Sequence, residues 1–275
     1  MITGEKFKDI ADFIYTPEIK YQDDFNDFGN TLNCSLLKDG DIIYTHTMFV
    51  KQLFEVIKDV DRELIIISHN CDTGVDSSFI VPENVFRWYS QNVGVVNPKI
   101  ESLPIGLENN RWFPDRQKKE KIIAKVNESR NYRNLVYMNH NIGTNPAVRD
   151  RLYELYESEL WVTSEKGLNG SNFDGYIDNI YNHKFMICPQ GNGLDTHRTW
   201  ECLYLGTIPI EKYNLNNRFY TDLPICFVDN WEDLTSEFLE SEFIRIKSGN
   251  WNMNKITFEY WKNKIEYWKN KILCY

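Results

Sequence analysis

The sequence predicts an α/β fold of two units of similar size with a cleft between them. Three observations predict it. Short aliphatic runs alternate with segments of helical spacing, the alternation occurs twice, and a polar stretch divides the two occurrences. The 275 residues are enough for one large domain or two modest ones. With 42% hydrophobic and 26% charged residues, the composition excludes a disordered or fibrous chain. The formal charge of −9 argues against general nucleic-acid binding, which needs a basic surface to neutralise phosphates.

The first unit, residues 1–115, opens with the expected strand DIIYT at 41–45. Phe49, Leu53, Val56, Ile57 and Val60 follow at the three- and four-residue spacing of a helix. LIIIS at 64–68 reads as a strand buried on both faces of a parallel sheet. A polar loop, HNCDTGVD at 69–76, follows it. A helix is expected around 82–91, then a short strand and LPIGLE at 103–108. The polar, Pro-led stretch from 114 to 134 reads as a connection, placed at 116–133, holding one exposed helix.

The second unit, residues 134–254, repeats the style. NLVYM at 134–138 is a strand, ending in NHNIGTNP at 139–146. The helix after it carries Val148, Leu152, Leu155 and Tyr156 on one face. Further strands are expected at 160–163, 183–188, 207–210 and 224–228. In open α/β sheets ligands bind beyond the carboxyl ends of strands, so the loops after Ser68, Met138 and Cys188 are where chemistry is sought.

The tail repeats EYWKNKI at 259–265 and 266–272. Trp261, Ile265, Trp268 and Ile272 form one apolar stripe, and the reading is a terminal helix, 255–275, packed back on the N-terminal half. From Arg245 onward seven basic residues stand against two acidic ones, which keeps a membrane-surface helix and a dimer seam as alternatives. The first residues carry acids where a signal peptide needs an apolar stretch, and no apolar run reaches the length of a membrane span. A cytoplasmic chain is therefore expected. The six cysteines lie far apart with no CxxC pair, which suits free buried thiols better than a disulfide framework or a zinc site.

The densest chemistry is CPQGNGLDTHRTWECLYLG at 188–206. Pro189 stops a strand, and Gly191 and Gly193 allow a tight turn and close approach to a ligand. Asp195 or Thr196 caps a helix that runs to Gly206. A glycine-rich turn feeding a helix N-terminus is an anion site, and Arg198 adds a forked cation suited to phosphate. Glu201 lies four residues after His197, where a carboxylate can accept both hydroxyls of a ribose. Gln190, Asn192, Asp195, Thr196 and His197 complete the candidate set. The segment is neither a P-loop nor the dinucleotide fingerprint. The competing reading is an ordinary strand–turn–helix with Arg198 and Glu201 as a surface ion pair. A second anion-binding element is read at 139–149, with Thr144, Asn145 and Arg149, the alternative there being an arginine on a solvated helix face.

HKFMICPQGNGLDTHRTWECLYLGTIPI resembles the donor-binding signature of exostosin-like glycosyltransferases. NPKIESLPIGLE at 97–108 and Asn230-Trp231 add weaker likeness, so that the resemblance spans most of 64–235. It implies two Rossmann-like domains facing a cleft, the GT-B arrangement, and an inverting transfer from a nucleotide sugar, most often UDP-linked, to a glycan hydroxyl. It also implies Arg198 on the pyrophosphate and Glu201 on the ribose. Neither a metal nor another cofactor is expected. An inverting transfer needs a base for the acceptor hydroxyl. The loop at 69–76 offers Asp72, His69 and Asp76, in that order, with Glu108 an outside candidate; His46 reads first as a buried, satisfied histidine and only second as an acceptor contact. The competing reading gives Asp72 and His69 turn and structural roles. Two other functions are carried. One is a nucleotide-sugar-binding module without turnover. The other is a metal-dependent hydrolase using His69, Asp72, His140 and His197, for which no HxH or HExxH pair speaks.

Overall fold

The computed structural model describes residues 1–17, 29–109, 117–167 and 173–274, leaving aside the side chains of 117 and 118. The chain forms two compact units. One comprises 2–105 together with 257–275, and the other comprises 106–256 with Met1.

In the first unit β1 (Phe13–Tyr15), β2 (Ile42–His46), β3 (Leu64–His69), β4 (Val85–Ser90) and β5 (Ile100–Ser102) form one parallel sheet in chain order. Every residue of β2 and β3 is buried, as expected of aliphatic runs covered on both faces. The helices α1 (Gly4–Asp9) and α2 (Val50–Ile57) belong here, the latter burying Val50, Leu53, Phe54 and Ile57.

The segment expected as a helix around 82–91 is strand β4. Val85, Phe86, Trp88 and Tyr89 match either period, and β-branched and aromatic residues take the extended form when partner strands lie on both sides. The strand is pinned by Ser68 Oγ, which donates to Ser90 Oγ at 2.7 Å and accepts from Trp88 Nε1 at 2.8 Å. Just past the carboxyl ends of β3 and β4, Asn70 and Asn92 sit in the left-handed region, at φ 56° and 59°.

The second unit holds α3 (Gln117–Lys125), β6 (Asn134–Asn139), α4 (Pro146–Tyr156), β7 (Val162–Glu165), α5 (Phe173–Tyr181), β8 (His183–Ile187), α6 (His197–Leu205), β9 (Ile208–Lys212), β10 (Cys226–Val228) and α7 (Ser236–Ser248). Its parallel sheet has the order β10-β9-β8-β6-β7. Leu152, Tyr153, Leu239 and Ile246 of α4 and α7 pack on one face with Val136, Ile187 and Ile210. Ile122, Ile177, Cys202 and Leu205 of α3, α5 and α6 pack on the other with Tyr137 and Met186. The chain runs from β6 outward to β7 and then back to β8. Strand order therefore reverses between β6 and β8, the place where open α/β sheets hold their ligands.

The helix expected on an exposed connection is α3, and it is packed. Ile122 is buried, and Lys121 and Lys125 pair with Asp174 and Asp178 of α5, both at 2.5 Å. The start of that connection, 114–116, lies outside the described residues. The strand expected at 160–163 begins at Val162, with Leu160 left 96% exposed.

The last helix, α8 (Phe258–Leu273), is part of the first unit. Trp261, Ile265 and Ile272 are buried, and Trp268 packs on Phe86 and beneath the Arg87 guanidinium. Lys264 pairs with Glu101 and Lys269 with Asp12. No helix among the described residues is long and apolar enough to cross a membrane.

Candidate anion-binding site

The turn between β8 and α6 is built by its own side chains. Thr196 is the N-cap, in extended conformation, and its hydroxyl accepts from the Arg198 N–H at 3.2 Å. The Asp195 carboxylate accepts the Thr196 N–H at 2.8 Å and the buried Trp200 Nε1 at 3.0 Å. These two residues anchor the helix start. Gly206 closes α6 at φ +71°, where a side chain would be strained.

Arg198, half-buried in the first turn of α6, donates from Nε to the Asn139 carbonyl at 2.8 Å. The bond crosses from α6 to the end of β6 at the point where strand order reverses. Glu201, one turn further on, is 2% exposed and accepts the Tyr176 hydroxyl of α5 at 2.6 Å, so it is no surface ion pair. Burial opposes the charge on Arg198, but Tyr176 and Glu201 beside it hold its pKa above the ordinary arginine value.

Arg149 of α4 is 4% exposed and donates four hydrogen bonds. Its Nε donates to Gln190 O at 3.1 Å, Nη2 to Pro189 O at 3.2 Å, and Nη1 to Asn141 O at 2.8 Å and to Thr144 Oγ1. Asn145 Nδ2 reaches Gly191 O at 3.4 Å. Arg149, Thr144 and Asn145, expected to contact ligand, thus stitch the loop after β6 to the turn after β8. Apart from the Arg149–Thr144 bond, these donors go to backbone carbonyls. Gly191 serves the same joint: a Cβ there would stand 2.9 Å from Arg149 Nη2.

The surroundings of the turn are electropositive. Burial, and then the charge of Arg198, push Arg149 down to about 10. His140, wholly buried, is pushed down to about 4 by burial, with Arg198 and Arg149 adding to it. It is therefore neutral, and its Nε2 donates to Arg149 O at 3.1 Å. Two like charges held this close in a poorly solvated place favour an anion between or beside them. Asn139 Oδ1 and His140 Nδ1, both buried, have no partner among the described residues. Of the remaining candidates, Gln190 and Gly193 are half-buried, Asn192 is exposed, and His197 is tied through Nδ1 to Gly106 O at 2.7 Å.

A cavity of about 280 Å³ adjoins the turn. Val148, Leu194 and Trp231 give it apolar walls, and Gln190, Glu211 and Asn214 give it polar ones.

In the first unit the candidate bases differ sharply. His69 is 1% exposed, with Nδ1 accepting the Asn70 N–H at 2.8 Å and Nε2 donating to Pro104 O at 3.1 Å. Both ring nitrogens are occupied, so it braces the loop. His46 is buried, with Nδ1 3.3 Å from Asn70 O. Asp76 is exposed and accepts from the N–H and hydroxyl of Ser78, which hold it below the usual carboxylate range. Asp72 is exposed and Glu108 half-buried. Among the described residues no three His, Cys, Asp or Glu side chains gather as metal ligands.

Sequence reasoning missed Tyr176 and Glu211. Phe173, Tyr176, Ile177 and Ile180 have helical spacing that would have revealed α5. Glu211 ends an apolar strand, and only its neighbours give it meaning.

No protein-family model matches the chain, and no curated protein matches it. A solved structure described as "Crystal structure of GtfA/B complex" is similar at a TM-score of 0.35 and 11% identity, over 86% of this chain and 59% of that one. The chain thus spans less than two thirds of the length of the structure it matches.

Proposed function

We propose that the second unit binds the diphosphate of a nucleotide sugar and that the protein is a glycosyltransferase acting on a hydroxyl acceptor. The observation that carries this reading is the pairing of Arg198 with the glycine turn and the N-terminus of α6, where the strand order of the sheet reverses. A guanidinium in the first turn of a helix, where the helix dipole also favours negative charge, stabilises the charge that develops on a leaving diphosphate. In the transfer, the acceptor oxygen attacks the anomeric carbon, the bond to the diphosphate breaks, and the hydroxyl proton passes to a base. Inversion follows from a single such displacement. Asp72 is the base this reading favours, since His69 has no free nitrogen and Asp76 is a weakened base. The motif's resemblance implies Glu201 as the ribose contact.

Isothermal titration of the wild-type chain and Arg198→Ala with nucleoside diphosphates tests the reading. Binding by the wild type that falls at least tenfold in the variant supports it. Equal binding by both, or none by the wild type, sinks it. A module that binds without turnover is the second reading, favoured by the completeness of the turn in the second unit alone. Turnover of a nucleotide sugar by the wild type excludes it.

A further inference from the structure

The cavity beside the turn holds a charged group that the proposed function leaves unused. Glu211, in β9, is 8% exposed and is the acidic residue among the described residues lining the cavity, with the exposed Lys212 beside it as the basic one. Its carboxyl accepts from Thr199 Oγ1 and from Asn217 Nδ2, the latter at 2.9 Å. No lysine, arginine or histidine among the described residues forms an ion pair with it. Burial raises its pKa, and the two hydrogen bonds offset this only in part. A buried carboxylate without a cation is costly unless donors reach it. It offers roughly four acceptor positions, of which Thr199 and Asn217 fill two.

The remaining positions can accept from two neighbouring donors of a group that enters the cavity, whose lining includes the apolar Val148, Leu194 and Trp231. Guanine meets this with N1–H and its 2-amino group side by side. Uracil shows one N–H between two carbonyl oxygens, and adenine and cytosine each set an amino group beside a bare ring nitrogen. Against a carboxylate these three present a repelled acceptor. The cavity is also joined to the turn. Cys188, Gln190 and Leu194 belong to both, and Thr199, which bonds Glu211, directly follows Arg198.

We propose that this cavity receives the base of the bound nucleotide and that Glu211 selects guanine. The assignment rests on the reading of the turn as a diphosphate site, and it departs from the uridine that the motif's resemblance implies. A carboxylate reading two N–H groups rejects bases that lack them, because it would be left buried and underbonded.

Titration of the wild type and Glu211→Gln with guanosine, uridine, adenosine and xanthosine diphosphates decides the matter. The wild type binds guanosine diphosphate at least tenfold more tightly than the uridine and adenosine compounds. In Glu211→Gln the amide offers one donor and one acceptor, which match the 2-carbonyl and N1–H of xanthine. The variant therefore loses at least tenfold toward guanosine diphosphate and gains toward xanthosine diphosphate, a gain that an unfolded variant cannot give. Equal wild-type affinity for uridine or adenosine diphosphate overturns the base assignment while leaving the diphosphate reading intact. So does unchanged guanosine diphosphate binding by a folded variant. No binding of any diphosphate by the wild type overturns both.

Discussion

Arg149 occupies the space that a side chain on Gly191 would need, with Nη2 2.9 Å from the position of a Cβ there. One guanidinium thereby fixes the path of the loop after β6 and of the turn after β8 through carbonyls of both. Gly191→Ala is expected to lower stability by about 1–3 kcal/mol, because the joint is already fully packed. Urea unfolding measures it. In the double variant with Arg149→Ala the two losses add to less than their sum, since the clash partner is gone.

Arg198 is held by one bond to Asn139 and by Tyr176 and Glu201 nearby. Replacing it with alanine is expected to weaken nucleoside diphosphate binding by about 1.5–3 kcal/mol, the range for a charged hydrogen bond. Arg198→Lys keeps the charge but loses the fork and the Asn139 bond, so its affinity falls between the two. Titration calorimetry at fixed ionic strength separates the three.

His140 gives the fold a pH dependence. Its pKa falls from an ordinary 6.5 to about 4, because burial disfavours the imidazolium. The unfolded chain therefore binds the proton that the folded chain refuses. Stability is fully present above about pH 6.5 and is lost as pH falls toward 4, by about 3 kcal/mol at most. Denaturant unfolding at pH 7 and pH 4.5 is expected to show a smaller difference in His140→Gln than in the wild type.

Gly4, at the start of α1, lies against Asn70. A Cβ on it would fall 1.8 Å from Asn70 Oδ1. Asn70 in turn holds Tyr44 OH at 2.7 Å from the left-handed region. Gly4→Ala is expected to cost about 1–3 kcal/mol. Asn70→Gly, which tolerates the backbone, recovers part of that loss when combined with it. Thermal melts of the three variants check the order.

Asp72→Asn is expected to lower turnover of a nucleotide sugar by about 10²–10⁴ while leaving diphosphate affinity within twofold, as befits a proton acceptor. Steady-state kinetics paired with titration reads both. An unchanged rate removes Asp72 from the mechanism.

The strands that sequence alone reveals are those whose patterns have one reading. LIIIS can only be a strand buried on both faces, and it is β3. The Thr196 cap and Gly206 stop were equally plain, because capping chemistry is local. Residues 85–90 were not, since their apolar positions fit two periods and only the flanking β3 and β5 decide between them. The same limit governs the site. Arg198 announces itself by its place after two glycines. The use to which Arg149 puts its donors depends on carbonyls some forty positions away. Glu211 acquires its character from Thr199 and Asn217, which no spacing rule connects to it.

The first unit is interrupted by the second, for its closing helix α8 follows residue 256. In order of synthesis, residues 106–256 are all made while the earlier 104 still lack the surface that covers Phe86 and pairs with Glu101 and Asp12. The half made first is thus finished last, and a released chain truncated before Thr257 keeps every residue of the second unit while leaving the first without its closing helix.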